Sequence, residues 1–196
     1  MIPIQPTRIP GRWIEGYALD LHTEVSRHVG DDDRGHPLFE TARTPVGDLL
    51  YRLKYRGDTS AAHDLVGVAA DFVRQWSPPV NLLVPVPASR DRARQPVALL
   101  ASALAQELRI ELCLDCVHRT GISPELKNVR DRRERIEAVL DAYAVDRARI
   151  EGRSILLFDD LYRSGTTTRS VTEALYGSGA AAAVYGLTLT RTRSRR

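Results

Sequence analysis

The sequence predicts an α/β domain, a mainly parallel five-stranded sheet flanked by helices, with a small N-terminal hood. Short apolar runs of strand length at residues 80–86, 155–158 and 183–190 alternate with amphipathic segments of helical period, as strand–helix–strand units do. Polar loops follow two of these strands, after Val86 and after Phe158. Parallel order brings such loops to one sheet edge, where open α/β sheets bind ligands. The 196 residues, 43% hydrophobic and 27% charged, suit one globular domain with a substantial core.

Residues 13–25 place Tyr17, Leu19, Leu21 and Val25 among small or polar residues, the period of a half-exposed strand. It is expected to be antiparallel and to lie outside the main sheet, and residues 13–40 are expected to form the hood. The polar loop 30–37 reads as an exposed acidic turn; a cation held by His28, Asp31, Asp33 and His36 is the alternative. Thr44 before Pro45 is an N-cap followed by proline at the first helical position, so a helix runs to about Arg56, where Gly57 breaks it. A second helix begins near Thr59, buries Leu65, Val66, Ala69, Phe72, Val73 and Trp76, and stops at Ser77-Pro78-Pro79.

The first core strand is residues 80–86. A helix over 97–108 and a second strand over 110–117 follow. Residues 118–132 are polar and long for a connection, as functional or mobile loops are, with a solvated charged loop as the alternative. Residues 141–145 read as the third strand, 155–158 as the fourth, the helix 169–176 ends at Gly177-Ser178-Gly179, and 183–190 is the fifth.

The stretch 154–169, SILLFDDLYRSGTTTR, organises the rest. A buried apolar strand is expected to end in water at Asp159 and Asp160, and Gly165, flanked by Ser164, Thr166, Thr167 and Thr168, opens a helix. A helix N-terminus presents unpaired amides and partial positive charge, so it suits a phosphate. Adjacent carboxylates repel phosphate and suit a diol, a metal or a developing cation. A phosphate with a ribose diol a few ångströms away satisfies both. The stretch has no lysine for a GxxxxGK[ST] loop and one glycine where GxGxxG needs three.

This order of apolar run, two acids, a variable pair and a small-polar, Gly, small, Thr run resembles the 5-phosphoribosyl 1-pyrophosphate (PRPP) motif of type I phosphoribosyltransferases. Residues 155–158 match the apolar run, Asp159 and Asp160 the acids, and Ser164, Gly165 and Thr167 the phosphate loop. Arg163 departs from the family's small hydroxyl residue. The wider pattern, over about residues 45–191, resembles the ComF-like branch.

The resemblance implies the type I fold, with 192–196 as a basic tail, and Mg2+-dependent transfer of ribose 5-phosphate from PRPP to a nitrogen nucleophile such as a nucleobase, or the reverse. It implies catalytic roles for Asp159, Asp160, Lys127 and Arg130. The 5-phosphate falls to Arg163, Ser164, Gly165, Thr166 and Thr167, and pyrophosphate to Ser89 and Arg90. Mg2+ is held mainly by PRPP, with Asp159 and Asp160 as further candidates. The alternative is a non-catalytic PRPP- or nucleotide-binding regulator, linked through the family to DNA uptake.

Departures from the family bear on these assignments. Arg94-Gln95-Pro96 stands where ComF-like proteins have Arg-Gly-aromatic-Asn-Gln, and Glu134-Arg135 lacks the following Asn. Lys54, one of two lysines, reads as part of a helix surface rather than of the chemistry. Cys113 and Cys116 form a lone CxxC, short of four zinc ligands, and read as incidental thiols in a strand. The four-cysteine module of fuller relatives is not expected.

A net charge of +3 and a pI near 9.1 favour small polyanions without requiring nucleic acid. With no apolar run of membrane-span length and no signal-peptide core, a cytoplasmic location and no membrane partner are expected. The acceptor base or nucleotide and a homodimer are left open.

Overall fold

The computed structural model describes residues 2–32, 34–88, 95–120 and 142–193. A six-stranded sheet runs in the order β1 (Thr7–Arg8), β2 (Glu15–Leu21), β10 (Ala183–Arg191), β9 (Ser154–Tyr162), β5 (Leu82–Pro85) and β6 (Glu111–Leu112). All neighbours are parallel except β1 and β2, so five parallel strands carry an antiparallel edge. An exposed antiparallel hairpin of β3 (Val25–Asp31) and β4 (Pro37–Ala42) lies between β2 and the first helix. Within it His28 pairs with Asp31 at 3.0 Å and His36 with Asp32 at 3.1 Å.

The central strand explains why the sheet has two cores. Side chains alternate across a pleated strand, so Leu156 and Phe158 enter one cluster while Ile155 and Leu157 enter the other. The first cluster packs against α1 (Pro45–Arg56), α2 (Ser60–Trp76) and α3 (Pro96–Leu108) through Leu50, Leu65 and Leu104. The second packs against α5 (Thr166–Tyr176) through Val171, Ala174 and Leu175, and takes in Ile150 from the short α4 (Arg147–Ile150). Each of these four strand residues is at most 1% exposed, and full burial of one such side chain stabilises by about 1.5–3 kcal/mol.

Three strands here differ from the sequence expectation. Residues 15–21 do not stand outside the sheet; β2 pairs in parallel with β10, with Leu187 opposite Tyr17. Gly16 and Ala18 are small because Trp13 lies over that face, not because it meets water. A Cβ on Gly16 would come within 2.3 Å of the Trp13 indole. Residues 143–145 do not enter the main sheet either: β8 (Tyr143–Val145) pairs antiparallel with β7 (Val117–Arg119) as a separate ribbon. The expected strand over 110–117 is split into β6 and β7, and Cys113 and Cys116, rather than free thiols, are joined as a disulfide in the bend between them.

The start of α1 is fixed to the end of β2. Thr44 Oγ1 accepts from the Gly47 amide at 3.0 Å and donates to the Leu21 carbonyl. Gly47 sits so close to β2 that a Cβ there would lie 2.2 Å from the His22 carbonyl oxygen. Because one hydroxyl serves both elements, Thr44→Ala is expected to lower stability by about 2 kcal/mol, read from denaturant midpoints at unchanged slope.

Candidate functional site

β5 and β9 run parallel as neighbours, so their carboxyl-terminal loops, from Val86 and from Arg163, leave the same sheet edge. The Val86 amide donates to the Phe158 carbonyl at 2.8 Å, and the chain then turns away through Pro87 and Ala88. From that point β10 is the one partner of β9 among the described residues, with Thr188 opposite Asp159 and Thr190 opposite Leu161. The strand therefore does not end at the acids, as expected, but continues to Tyr162. The apolar run stops at Phe158, but the backbone ladder to β10 continues and Asp160 and Tyr162 stay buried.

The pleat separates the two carboxylates. Asp160 continues the Leu156 and Phe158 side and meets α1, where Lys54 Nζ lies 2.5 Å from its Oδ2. These side chains are 17% and 11% exposed, so the pair is well shielded from solvent. Lys54 is thus part of the site and not a bystander on the helix surface. The signal was in the sequence: Val46, Leu50 and Lys54 recur at four-residue spacing, and the first two are fully buried.

Asp159 continues the Ile155 and Leu157 side. Its Oδ1 accepts from the Asp160 amide at 2.8 Å. Burial, and then the neighbouring Asp160 charge, push its carboxyl up to about 7, against the pull of that hydrogen bond and of Lys54. At neutral pH the doublet is therefore one firmly paired carboxylate beside one that shares its proton with solution.

Two residues not singled out from the sequence lie at the carboxyl end of β2, and one of them, His22, reaches the doublet. Asp20 is 6% exposed, and burial raises its carboxyl despite a 2.7 Å hydrogen bond from the Leu21 amide. His22 Nδ1 lies 3.2 Å from Thr190 Oγ1, whose hydroxyl reaches the Asp160 carbonyl at the same distance. Burial, then Lys54 and Arg43, lower the His22 pKa and keep the ring neutral. Placing residues 13–25 outside the sheet hid both.

Arg163, Ser164, Gly165, Thr166 and Thr167 form one strand-to-helix turn directly after β9. Gly165 precedes α5 at φ +73°, and a Cβ there would meet the Tyr162 hydroxyl at 2.2 Å, so conformation and space both require glycine. Ser164 Oγ and Thr166 Oγ1 are 2.9 Å apart, and Thr168 Oγ1 donates to the Gly165 carbonyl at 3.2 Å. The Thr166 amide donates to Ser164 Oγ at 3.4 Å, and a helix N-terminus with such hydroxyls beside it suits an anion.

Ser89, Arg90, Lys127 and Arg130 lie outside the described residues. A cavity of about 530 Å³ opens beside Ala88 and Gln95 at the ends of β5 and β6, walled by Val86, Leu114 and His118. Among the described residues no cluster of three or more His, Cys, Asp or Glu is arranged to hold a metal. Asp159 and Asp160 are the carboxylates that could serve a magnesium here, Asp160 being engaged by Lys54.

In a parallel sheet of this order, the feature that decides the family resemblance is a left-handed glycine opening a helix five residues after an acidic doublet. The fold is that of the type I phosphoribosyltransferases. Over 95% of this chain and 94% of the other it superposes with adenine phosphoribosyltransferase from Leishmania tarentolae, at TM-score 0.51 and 12% identity. Over 80% of this chain and 34% of the other it superposes with glutamine PRPP amidotransferase from B. subtilis, at TM-score 0.52 and 13% identity. In sequence the chain is similar to the competence protein ComFC of Bacillus subtilis, 27% identical over 147 residues. That match takes in 74% of this chain and spans 59% of the length of ComFC. No protein-family model matches. No helix among the described residues is long and apolar enough to cross a membrane.

Removing one partner of a shielded ion pair leaves the other uncompensated, so Lys54→Met should destabilise the protein by about 3 kcal/mol, with Lys54→Arg recovering part of the loss. Denaturant titration of both variants checks this. Asp159 adds a pH signature. Because its folded pKa lies above the ordinary carboxylate value, the native state binds the extra proton between about pH 4 and pH 7, and this contribution to stability is lost as pH rises through that window. Subtracting the Asp159→Asn stability profile from wild type should reveal that slope.

Proposed function

We propose that this protein is a phosphoribosyltransferase that binds PRPP and transfers ribose 5-phosphate to a nitrogen nucleophile such as a nucleobase, or runs the reverse reaction. The observation that carries the reading is the Asp159–Asp160 doublet placed immediately before the Gly165 turn, at the parallel edge of a type I fold. The chain's similarity to ComFC and its fold support it without naming an acceptor.

In this reading the amides of Gly165, Thr166 and Thr167 hold the 5-phosphate, with Arg163 and the Ser164 hydroxyl beside them. Asp159 and Asp160 take the 2- and 3-hydroxyls. Lys54 holds Asp160 in place from α1, so that it does not swing toward the phosphate. Magnesium enters as part of the substrate, on the pyrophosphate oxygens, and neutralises charge on the leaving group. No protein carboxylate is assigned to it. Ser89, Arg90, Lys127 and Arg130 are assigned to the pyrophosphate on sequence grounds alone.

The chemistry asks little covalent participation of the protein. The C1–O bond breaks with its electron pair leaving on pyrophosphate, C1 becomes cation-like, and the acceptor nitrogen forms the new C1–N bond and loses a proton. The Asp160 carboxylate below the ring favours that positive charge. The proton-sharing state of Asp159 lets it donate to one hydroxyl or accept from it.

Pyrophosphate release measured with PRPP, Mg2+ and a panel of nucleobases should show turnover with at least one base. Asp160→Asn should lower kcat/KM by two orders of magnitude or more, since it removes the charge opposite C1. Tight PRPP binding without release from any base would instead establish a regulator, and absence of PRPP binding would refute the assignment.

A further inference from the structure

Beyond the turn at Gly165 the structure holds a second basic cavity, of about 300 Å³. Its walls include Arg8, Tyr162, Arg163, Ser164, Arg169 and Arg191. Neither Asp159 nor Asp160 lines it, and neither do Gly165, Thr166 or Thr167, so it is a separate space from the proposed 5-phosphate cradle. Arg163 and Ser164 belong to both walls, which makes the two spaces contiguous.

Charge in this cavity is one-sided. Arg8, Arg163, Arg169 and Arg191 are among its wall residues, and among the described residues no Asp or Glu is. The Arg8 guanidinium itself is engaged by Glu15 and the Tyr17 hydroxyl, outside the lining. Arg169 is positioned by neutral oxygens, the Tyr162 hydroxyl at 3.2 Å and the Pro10 carbonyl at 3.4 Å. Arg191 Nε is buried with no hydrogen-bond partner. Planar guanidinium groups match phosphate oxygens in pairs, and the terminal nitrogens of Arg163, Arg169 and Arg191 have no acid partner among the described residues.

The cavity is also built, not incidental. The N-terminal segment is fastened over the turn by the Tyr162 hydroxyl, which donates to the Pro10 carbonyl at 2.8 Å, and by the Trp13 indole, which donates to the Ile9 carbonyl at 3.1 Å. Trp13 meets Tyr162 edge-on at 6.3 Å. These contacts hold Ile9 and Pro10 of the N-terminal segment against the end of β9.

We propose that this cavity binds a second phosphoryl group, attached to the one held by the turn, so that the site accepts the diphosphate of a nucleoside 5-diphosphate. The proposal rests on the reading of residues 163–167 as a phosphate cradle. PRPP, with a single phosphate at its 5-position, leaves the cavity unused.

Calorimetric titrations of the full chain with AMP, ADP, GMP, GDP, PRPP and inorganic pyrophosphate test this. At least one diphosphate should bind about tenfold tighter than its monophosphate, the gain expected from one added charge-assisted contact. Arg191→Gln should erase that gain with PRPP affinity unchanged. Arg169→Gln, at an exposed position where folding is not at stake, should reduce the gain independently. Equal affinity for mono- and diphosphates on wild type would overturn the proposal. So would an Arg191→Gln loss shared equally by PRPP, which would merge the cavity with the cradle, or pyrophosphate binding as tightly as the nucleotides with the same Arg191 dependence, which would make the ligand a free anion. If PRPP fails to bind wild type while ADP binding still depends on Arg191, the cavity stands and the PRPP reading falls.

Discussion

Everything at the carboxyl edge depends on β9 being paired on both sides as far as Phe158 and, among the described residues, on one side beyond it. Two-sided pairing holds the strand rigid and buries its four apolar residues. One-sided continuation keeps Asp159 and Asp160 on an ordered ladder while opening space beside them. Loop carboxylates would be free to rotate toward any cation; on a strand they are separated by the pleat and held to opposite faces.

That separation gives chemically different members to a doublet of identical residues. Asp160, on the α1 face, meets Lys54; Asp159, on the α5 face, meets apolar cover and the field of its neighbour. The placement of α1 is part of the same device, since Thr44 and Gly47 fix its first turn against β2 and the helix delivers Lys54 two to three turns later. The turn at Gly165 obeys a parallel constraint: Tyr162 fills the space a side chain would need and ties the N-terminal segment to the phosphate end.

Much of this was legible in the sequence, for local reasons. The α1 and α2 boundaries follow from Thr44-Pro45, Gly57 and Ser77, whose caps act within a few residues. The acids and the turn were legible because their order and spacing are fixed by one strand-to-helix connection. Features set by distant pairing were not. The membership of β2 in the sheet depends on β10, about 170 residues away, and small residues beneath Trp13 imitate the alternation of an exposed strand. The ion pair of Lys54 with Asp160 joins residues more than 100 positions apart, and the helical spacing that points Lys54 inward does not say what it meets.

The central claim is that the Gly165 turn and the acidic doublet bind opposite ends of one ribose 5-phosphate. Backbone amide chemical shifts of 15N-labelled protein, followed during titration with magnesium–PRPP, test it most directly. The account predicts that the largest perturbations fall on Gly165, Thr166 and Thr167 and on Asp159 and Asp160, all saturating at one ligand concentration. Perturbations confined to one of the two groups, or centred elsewhere on the chain, would contradict it.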